Sequence, residues 1–456
     1  EIDRGLLRFG LVVVSRQTAE IQKEGRILGL GCGAAASAGP AGGRGRASRS
    51  VWAAKGAVAG SVGTFERSFG VYRIPGSESR KTKDHANPPN LSPRLRLPPP
   101  PERIGGLAVA RLALFLGLVN LRPLLASVAL ALIVGCGSSP PPRTEAPAWT
   151  GNAGSWTAGD GKVLSFESWR PEAEPKAVWI LVHGFGGAGP DLAVLGRTAR
   201  DEGDAAYAPN LRGMGTEPDP EDRGDVLAAD QWIADLDEFA GLLRKRHPGR
   251  PLFVAGESLG ASLVLAWLDG SGRTAGDPAG VLLLAPVVEF GLDSTWWQRQ
   301  VFRVFLLVRP ERRIDLAAME EDQGMDERPP LTPIPEEREA AEAAPHRLES
   351  MTLRFLATSI RLVNASGEHL PALAGIPRFL AYGGRDTFVD AARVRPFAER
   401  FQDLPGPAET VFYPEGHHLL LRDYVTEDLL GRIAGWRASI LARIVNRFDG
   451  KGFKSF

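Results

Sequence analysis

Two cysteines in 456 residues, Cys32 and Cys136, leave nothing from which to build a disulfide framework. Histidine is sparse as well. The seven, at 85, 183, 247, 346, 369, 417 and 418, form neither an HExxH pair nor a Cys-His set, so no metal and no cofactor is expected. Apolar runs are short: the stretch from Leu124 to Val134 falls well below the roughly 20 residues that cross a bilayer as a helix. An overall excess of charge is missing too, since 54 Lys and Arg balance 54 Asp and Glu. That balance joins two unlike parts. Residues 1–118 carry 18 basic against 8 acidic side chains, whereas residues 136–456 carry 35 against 46. An acidic main body argues against nucleic acid as a partner, because phosphate binding needs a basic face.

What is present divides in the same place. Residues 1–118 are rich in Gly, Ala, Ser, Arg and Pro, as in "GCGAAASAGPAGGRGRASRS", and hold no periodicity beyond a few residues. Such composition cannot bury enough apolar surface to offset chain entropy. The expectation is a disordered segment or upstream sequence assigned to the chain by too early a start; a basic arm touching anionic lipid or a partner is the alternative. From Val119 the chain reads "VNLRPLLASVALALIVGC": a basic residue at Arg122, an apolar core from Leu124 to Val134, Gly135, then Cys136. This order resembles a bacterial lipoprotein signal peptide over 119–135, with Cys136 as the lipidation site. Counting the earlier "LAVARLALFLGLV" gives a stretch broken by Arg122 and Pro123, and an N-terminal membrane anchor instead. Cys32 follows "QKEGR" rather than an apolar run and is read as chance. Residues 136–155, including "GSSPPPRTEAPAWT", are expected to form a linker.

From Trp156 strand and helix signals alternate. "AVWILV", "DAAYAP", "PLFVAG", "GVLLLAP", "IPRFLAY" and "ETVFY" are short apolar runs, of the kind found in parallel strands covered by helices. With 43% hydrophobic residues the chain can bury a full core. The expected fold is α/β, a mostly parallel doubly wound sheet. Its core is assigned to 156–290 and 375–447, with an insertion over 291–374 that the sheet does not need and a tail over 448–456.

Between "LFVA" and the helical "ASLVLAWL" stands Gly256-Glu257-Ser258-Leu259-Gly260. A serine projecting from a sharp strand-to-helix turn needs glycine two places before and after it, where side chains would collide with strand and helix. Ser258 is therefore the expected nucleophile. Its acid should follow, then its histidine. Asp386 stands directly after the strand "FLAY"; Asp390, four residues on, fits the capping of a following helix instead. After "ETVFY", "YPEGHHLLLRD" offers His417 and His418 in a loop, and chain order alone does not separate them.

These residues resemble the α/β-hydrolase family, in the branch of monoacylglycerol lipases, lysophospholipases and serine aminopeptidase-like hydrolases. The resemblance covers roughly 157–445. It rests on His183 to Gly187, Asn210 to Gly215, Gly256 to Gly260, Gly383 to Asp386, and His418 with Asp423. The branch usually has Asp where this chain has Asn210, and Ser where it has Thr216. The resemblance implies His418 as base, because Leu420 and Asp423 follow at the family's spacing, and an oxyanion hole formed by the backbone amides of Phe185 and Leu259. His183 is expected to hold its loop, and 291–374 to form a helical cap whose Trp296, Trp297 and Phe302 suggest an apolar substrate.

The expected activity is hydrolysis of carboxylic esters of lipid-like substrates, of the monoglyceride or lysophospholipid type, through an acyl-enzyme. The alternatives are an acyltransferase or aminopeptidase using the same triad, and a non-catalytic lipoprotein binding module. The resemblance to a lipoprotein signal implies a membrane surface of a bacterial envelope, facing the periplasm or exterior, reached through a lipid anchor.

Overall fold

Five of those apolar segments become the middle of a nine-stranded sheet in the computed structural model, which describes residues 139–449 apart from 152–153, 217–220, 273–277, 291–295 and 317–329. Region 1–118, the signal segment 119–135, Cys136 and most of the tail 448–456 lie outside the described residues. The described residues all belong to one of the chain's two compact units.

The strands are β1 (Ala148–Trp149), β2 (Ser155–Thr157), β3 (Val163–Trp169), β4 (Val178–Val182), β5 (Ala205–Pro209), β6 (Leu252–Glu257), β7 (Gly280–Leu284), β8 (Arg313–Asp315), β9 (Ser350–Thr352), β10 (Arg378–Gly383) and β11 (Ala408–Tyr413). The large sheet runs β1-β2-β3-β5-β4-β6-β7-β10-β11, antiparallel from β1 to β5 and parallel from there on. β8 and β9 pair separately. Helices are α1 (Ala193–Asp201), α2 (Ala229–Arg246), α3 (Leu259–Trp267), α4 (Trp296–Val308), α5 (Pro335–Glu342), α6 (Leu353–Asn364), α7 (Ser366–His369), α8 (Ala391–Asp403) and α9 (Thr426–Asp449). No helix among the described residues is long and apolar enough to cross a membrane.

Strands β4, β5, β6, β7 and β10 are buried along their whole length, which is why they read as continuous apolar runs. Successive side chains serve opposite layers. Val178, Ile180 and Val182 join Val254, Val281 and Leu283 in one core with α2, α3, α6 and α8, whereas Trp179, Leu181, Phe253 and Leu282 join α1 and α9 in the other. Around β4 the order reverses: β5 lies on one side and β6, next in the parallel series, on the other. Such a reversal opens a crevice beyond the carboxyl ends of the strands.

Two expectations are corrected. The described part of 136–155 is not a free linker: β1 and β2 extend the sheet, and Trp149 lies edge-on to Phe166 and Phe239 at 5.3 and 5.7 Å. Arg143 binds Asp235 at 2.5 Å and Glu238 at 2.7 Å. A two-residue strand beside prolines has no periodicity to betray it. The insertion is also narrower than 291–374 as a cap, since α6 enters the main core. Its Phe355 is fully buried, edge-on to Trp232 at 5.6 Å.

Candidate active site

Four loops meet at the carboxyl ends of β4, β6, β10 and β11. The turn after β6 is the sharpest. Ser258 has φ 56° and ψ −121°, a conformation that side-chain-bearing residues rarely adopt and that only a surrounding structure can enforce. A Cβ on Gly260 would stand 2.3 Å from the Val182 carbonyl oxygen, and one on Gly256 2.5 Å from that of Gly260, so both positions require glycine. The Ser258 N–H donates to the Leu284 carbonyl at 2.9 Å, tying the turn to β7.

The three residues expected to act together are brought together. The Ser258 hydroxyl lies 2.9 Å from His418 Nε2, and His418 Nδ1 lies 2.7 Å from Asp386 Oδ2. Ser258 is 5% exposed and His418 3%. The carboxylate can only accept, so Nδ1 carries the proton and Nε2 is free to take one from the hydroxyl. The other carboxylate oxygen, Oδ1, accepts the N–H groups of Phe388 and Val389, both at 2.8 Å, which fixes the loop after β10. The half-exposed Phe388 ring packs against His418 at 5.1 Å.

The competitors are employed elsewhere. Asp390 caps α8, accepting the Ala392 N–H at 2.8 Å. His417 is bound to Asp423 through both its backbone N–H, at 2.7 Å, and Nδ1, at 3.1 Å. Asp423 therefore serves the neighbouring histidine and the turn beyond, not His418.

Phe185 lies in the loop after β4. Among the described residues its N–H has no hydrogen-bond partner, and Leu259, as the first residue of α3, has no intrahelical acceptor. His183 is fully buried between two loops: the Leu211 N–H donates to Nε2 at 3.0 Å, so Nδ1 donates to the Gly184 carbonyl at 2.8 Å. Burial pushes its imidazole down to about 4, against the pull of the Gly184 hydrogen bond. It is a neutral brace. Asn210 braces the same loops, accepting from the Gly189 N–H and donating to Ser165 Oγ, both at 2.7 Å.

Arg212 belongs to the glycine-rich motif from Asn210 to Gly215, but the acids that hold it, and Asp191, Arg422 and Glu257 nearby, have no local sequence signal. Arg212 is bound by Asp235 through Nε and Nη2 at 3.0 and 2.9 Å and by Asp160 at 2.9 Å. Asp191 follows the Phe185 loop and faces the partly buried Arg422 at 3.4 Å; Glu257 is buried. Burial pushes the Glu257 carboxyl up, against the pull of Arg422. Among the described residues no group of three or more His, Cys, Asp or Glu is placed to hold a metal. In the insertion, Trp296, Trp297, Val304, Leu307 and Val308 of α4 are exposed.

One family description, serine aminopeptidase S33 (Hydrolase_4), matches residues 173–424. The chain is 26% identical over 132 residues to a monoacylglycerol lipase of Mycolicibacterium smegmatis, covering 29% of this chain and 45% of that one. It is 26% identical over 155 residues to the human monoglyceride lipase, covering 33% and 48%. The chain thus matches less than half the length of these relatives. Among solved structures, a soluble variant of monoglyceride lipase from Saccharomyces cerevisiae superposes with a TM-score of 0.52 at 17% identity, covering 66% of this chain and 99% of that one. A thermostable carboxyl esterase from Bacillus coagulans gives 0.55 at 17% identity, covering 63% and 97%. At such identities these structures speak for the α/β-hydrolase fold alone.

Proposed function

The chain belongs to the serine aminopeptidase S33 family of hydrolases, and from that premise we propose that it cleaves carboxylic esters of lipid-like substrates through Ser258, His418 and Asp386. The observation that carries this reading is the hydrogen-bonded line from Ser258 through His418 to Asp386, set on a strained turn at the crevice of the sheet.

Each step follows from that line. Ser258 Oγ bonds to the ester carbon while His418 Nε2 takes its proton; Asp386 holds the imidazole in the tautomer that can do so and stabilises the imidazolium. The carbonyl oxygen becomes an oxyanion facing the amides of Phe185 and Leu259, a pair of which each member is typically worth about 3 kcal/mol of barrier. Collapse breaks the bond to the alcohol, which leaves with the proton from His418. Water then repeats the sequence on the acyl-enzyme, releasing the acid and restoring Ser258. The monoglyceride type is the first substrate to try, because two relatives carry that name. The family's own name favours a second reading, a peptidase, which would release amines from amino-acid amides and leave long-chain esters untouched.

The test is labelling with a fluorophosphonate probe, followed by a series of esters of increasing acyl length and a monoglyceride. Labelling that Ser258→Ala abolishes, with turnover of the series, is the expected result. A wild-type protein that takes no label and cleaves no ester sinks the reading.

We also propose that Cys136 carries a lipid anchor at an envelope membrane, on the strength of the apolar run and Gly135 before it. Mass spectrometry of protein from a lipoprotein-processing host should find an acylated Cys136 peptide; an unmodified one overturns the anchor.

A further inference from the structure

Asp191 lies outside the Ser-His-Asp line, yet three separate segments converge on its carboxylate. Its Oδ2 accepts the Ala188 N–H at 2.8 Å and so closes the turn that follows Phe185, Gly186 and Gly187. Its Oδ1 faces Arg422 Nη1 at 3.4 Å, four residues beyond His418 and 231 residues away in sequence. The same oxygen faces His346 Nε2 at 3.3 Å, and His346 belongs to the insertion. Both partner side chains and Asp191 itself are largely buried.

The arrangement is tight. A Cβ on Gly187 would stand 2.8 Å from Asp191 Oδ2, so the loop presses against the carboxylate. Burial alone would raise the carboxyl; the contacts with His346, Arg422 and the Ala188 N–H outweigh it and pull it down to about 2. The group is therefore an anion throughout the working range. Glu257 is another buried acid near Arg422, and burial pushes its carboxyl up against the pull of that guanidinium.

We propose that Asp191 is a positioning residue that sets the loop bearing the Phe185 amide against the loop bearing His418, with His346 adding the insertion to the same clamp. The oxyanion donor and the base must keep a fixed separation while the carbonyl oxygen develops its charge, and a displacement of about 1 Å is enough to weaken both. Arg422 and the Ala188 N–H reach opposite oxygens of one short side chain, which fixes that separation. The inference rests on the serine hydrolase reading.

The test uses D191N and H346Q in the full chain. In D191N the amide oxygen stays with the Ala188 N–H, which turns the NH2 toward Arg422, a guanidinium that can only donate and so opposes it, and toward His346, which must change tautomer to accept it. Expected for D191N is about a tenfold fall in kcat and in the fluorophosphonate labelling rate, with KM within twofold of wild type. H346Q should lower kcat about threefold, and the double variant should be no slower than D191N, because both act through one clamp. A D191N protein with wild-type kcat and labelling rate overturns the proposal, even if its melting temperature has dropped. Strictly multiplicative effects of the two substitutions remove the role given to His346. Wild-type protein that takes no label is a different failure, that of the hydrolase reading itself.

Discussion

Asp386→Asn separates two jobs that one carboxylate performs. Oδ1 accepts two backbone N–H groups, from Phe388 and Val389, at 2.8 Å each. Those donors dictate how the amide sits: its oxygen must take the Oδ1 position, because an NH2 there would face two N–H groups. The NH2 then occupies the Oδ2 position, 2.7 Å from His418 Nδ1. A donor at that point reverses the tautomer. Nδ1 becomes the acceptor, Nε2 carries the proton, and at 2.9 Å from Ser258 Oγ it can no longer take one. The expected loss in kcat is about 10⁴-fold, or about 5.5 kcal/mol of barrier. Stability should change little, because both loop hydrogen bonds survive. Asp386→Ala should be as inactive but also less stable by about 1 to 3 kcal/mol, since it deprives two backbone donors of their acceptor. Asp390→Asn keeps the α8 cap acceptor and should leave kcat within twofold. Ester hydrolysis and urea unfolding on the same preparations decide the matter. An Asp386→Asn variant with a tenth or more of wild-type kcat would refute the assignment; so would a greater loss of activity at Asp390.

Three more outcomes follow from buried groups. Arg378 is fully buried and has no acidic partner among the described residues, its guanidinium donating to the carbonyls of Phe401 at 2.8 Å, Pro405 at 3.0 Å and Leu404; the Pro405 carbonyl keeps the Gly375 N–H at 2.7 Å, so Arg378→Met strands the other two acceptors at the end of α8 and should cost roughly 2 to 4 kcal/mol in urea unfolding. Gly260→Ala forces a Cβ to within 2.3 Å of the Val182 oxygen, so it should destabilise by about 3 kcal/mol and abolish probe labelling. His183 titrates at about 4 when folded against about 6.5 unfolded. The unfolded chain therefore binds the extra proton first, and stability falls as pH drops from about 6.5 to 4, by about 3 kcal/mol in total. His183→Gln should flatten that limb of the stability-pH profile, and an unchanged slope would show that His183 is not the group responsible.

What was legible in the sequence is what short spacing encodes. The glycines of Gly256 to Gly260 record backbone contacts within a few residues, and the fully apolar strands record burial on both faces. Asp386 and His418 were placed by strand ends and by a family spacing. That spacing hid a different relationship, since Asp423 binds His417 rather than His418. The remainder depends on long-range pairs with no local mark. Arg143 meets Asp235 across 92 residues, and Arg437 of α9 meets Asp204 across 233. The same holds for the antiparallel strands β1 and β2, too short to show an alternation, and for α6, whose amphipathic pattern does not say which surface it covers.

At the carboxyl ends of the strands the carboxylates share one division of labour. Asp386 gives one oxygen to its own loop and the other to His418; Asp191 gives one to its own turn and the other to Arg422 and His346. Asp423 does both through its own turn and His417: Oδ1 takes the Val425 N–H at 3.4 Å, while Oδ2 takes the backbone and ring of His417. A buried carboxylate is costly unless its lone pairs are filled, and backbone N–H groups fill them without adding charge. The remaining oxygen can then hold a basic side chain from another loop at a defined place. In this way the loops are set by pairs of hydrogen bonds rather than by apolar contact, which is less directional. It follows that Asp→Asn at Asp386 and Asp191 should spare the local turn and loosen the partner loop, so activity should fall further than stability at both. At Asp423, whose hydrogen bonds among the described residues reach no member of the Ser-His-Asp line and whose two oxygens both hold backbone N–H groups, the order should reverse.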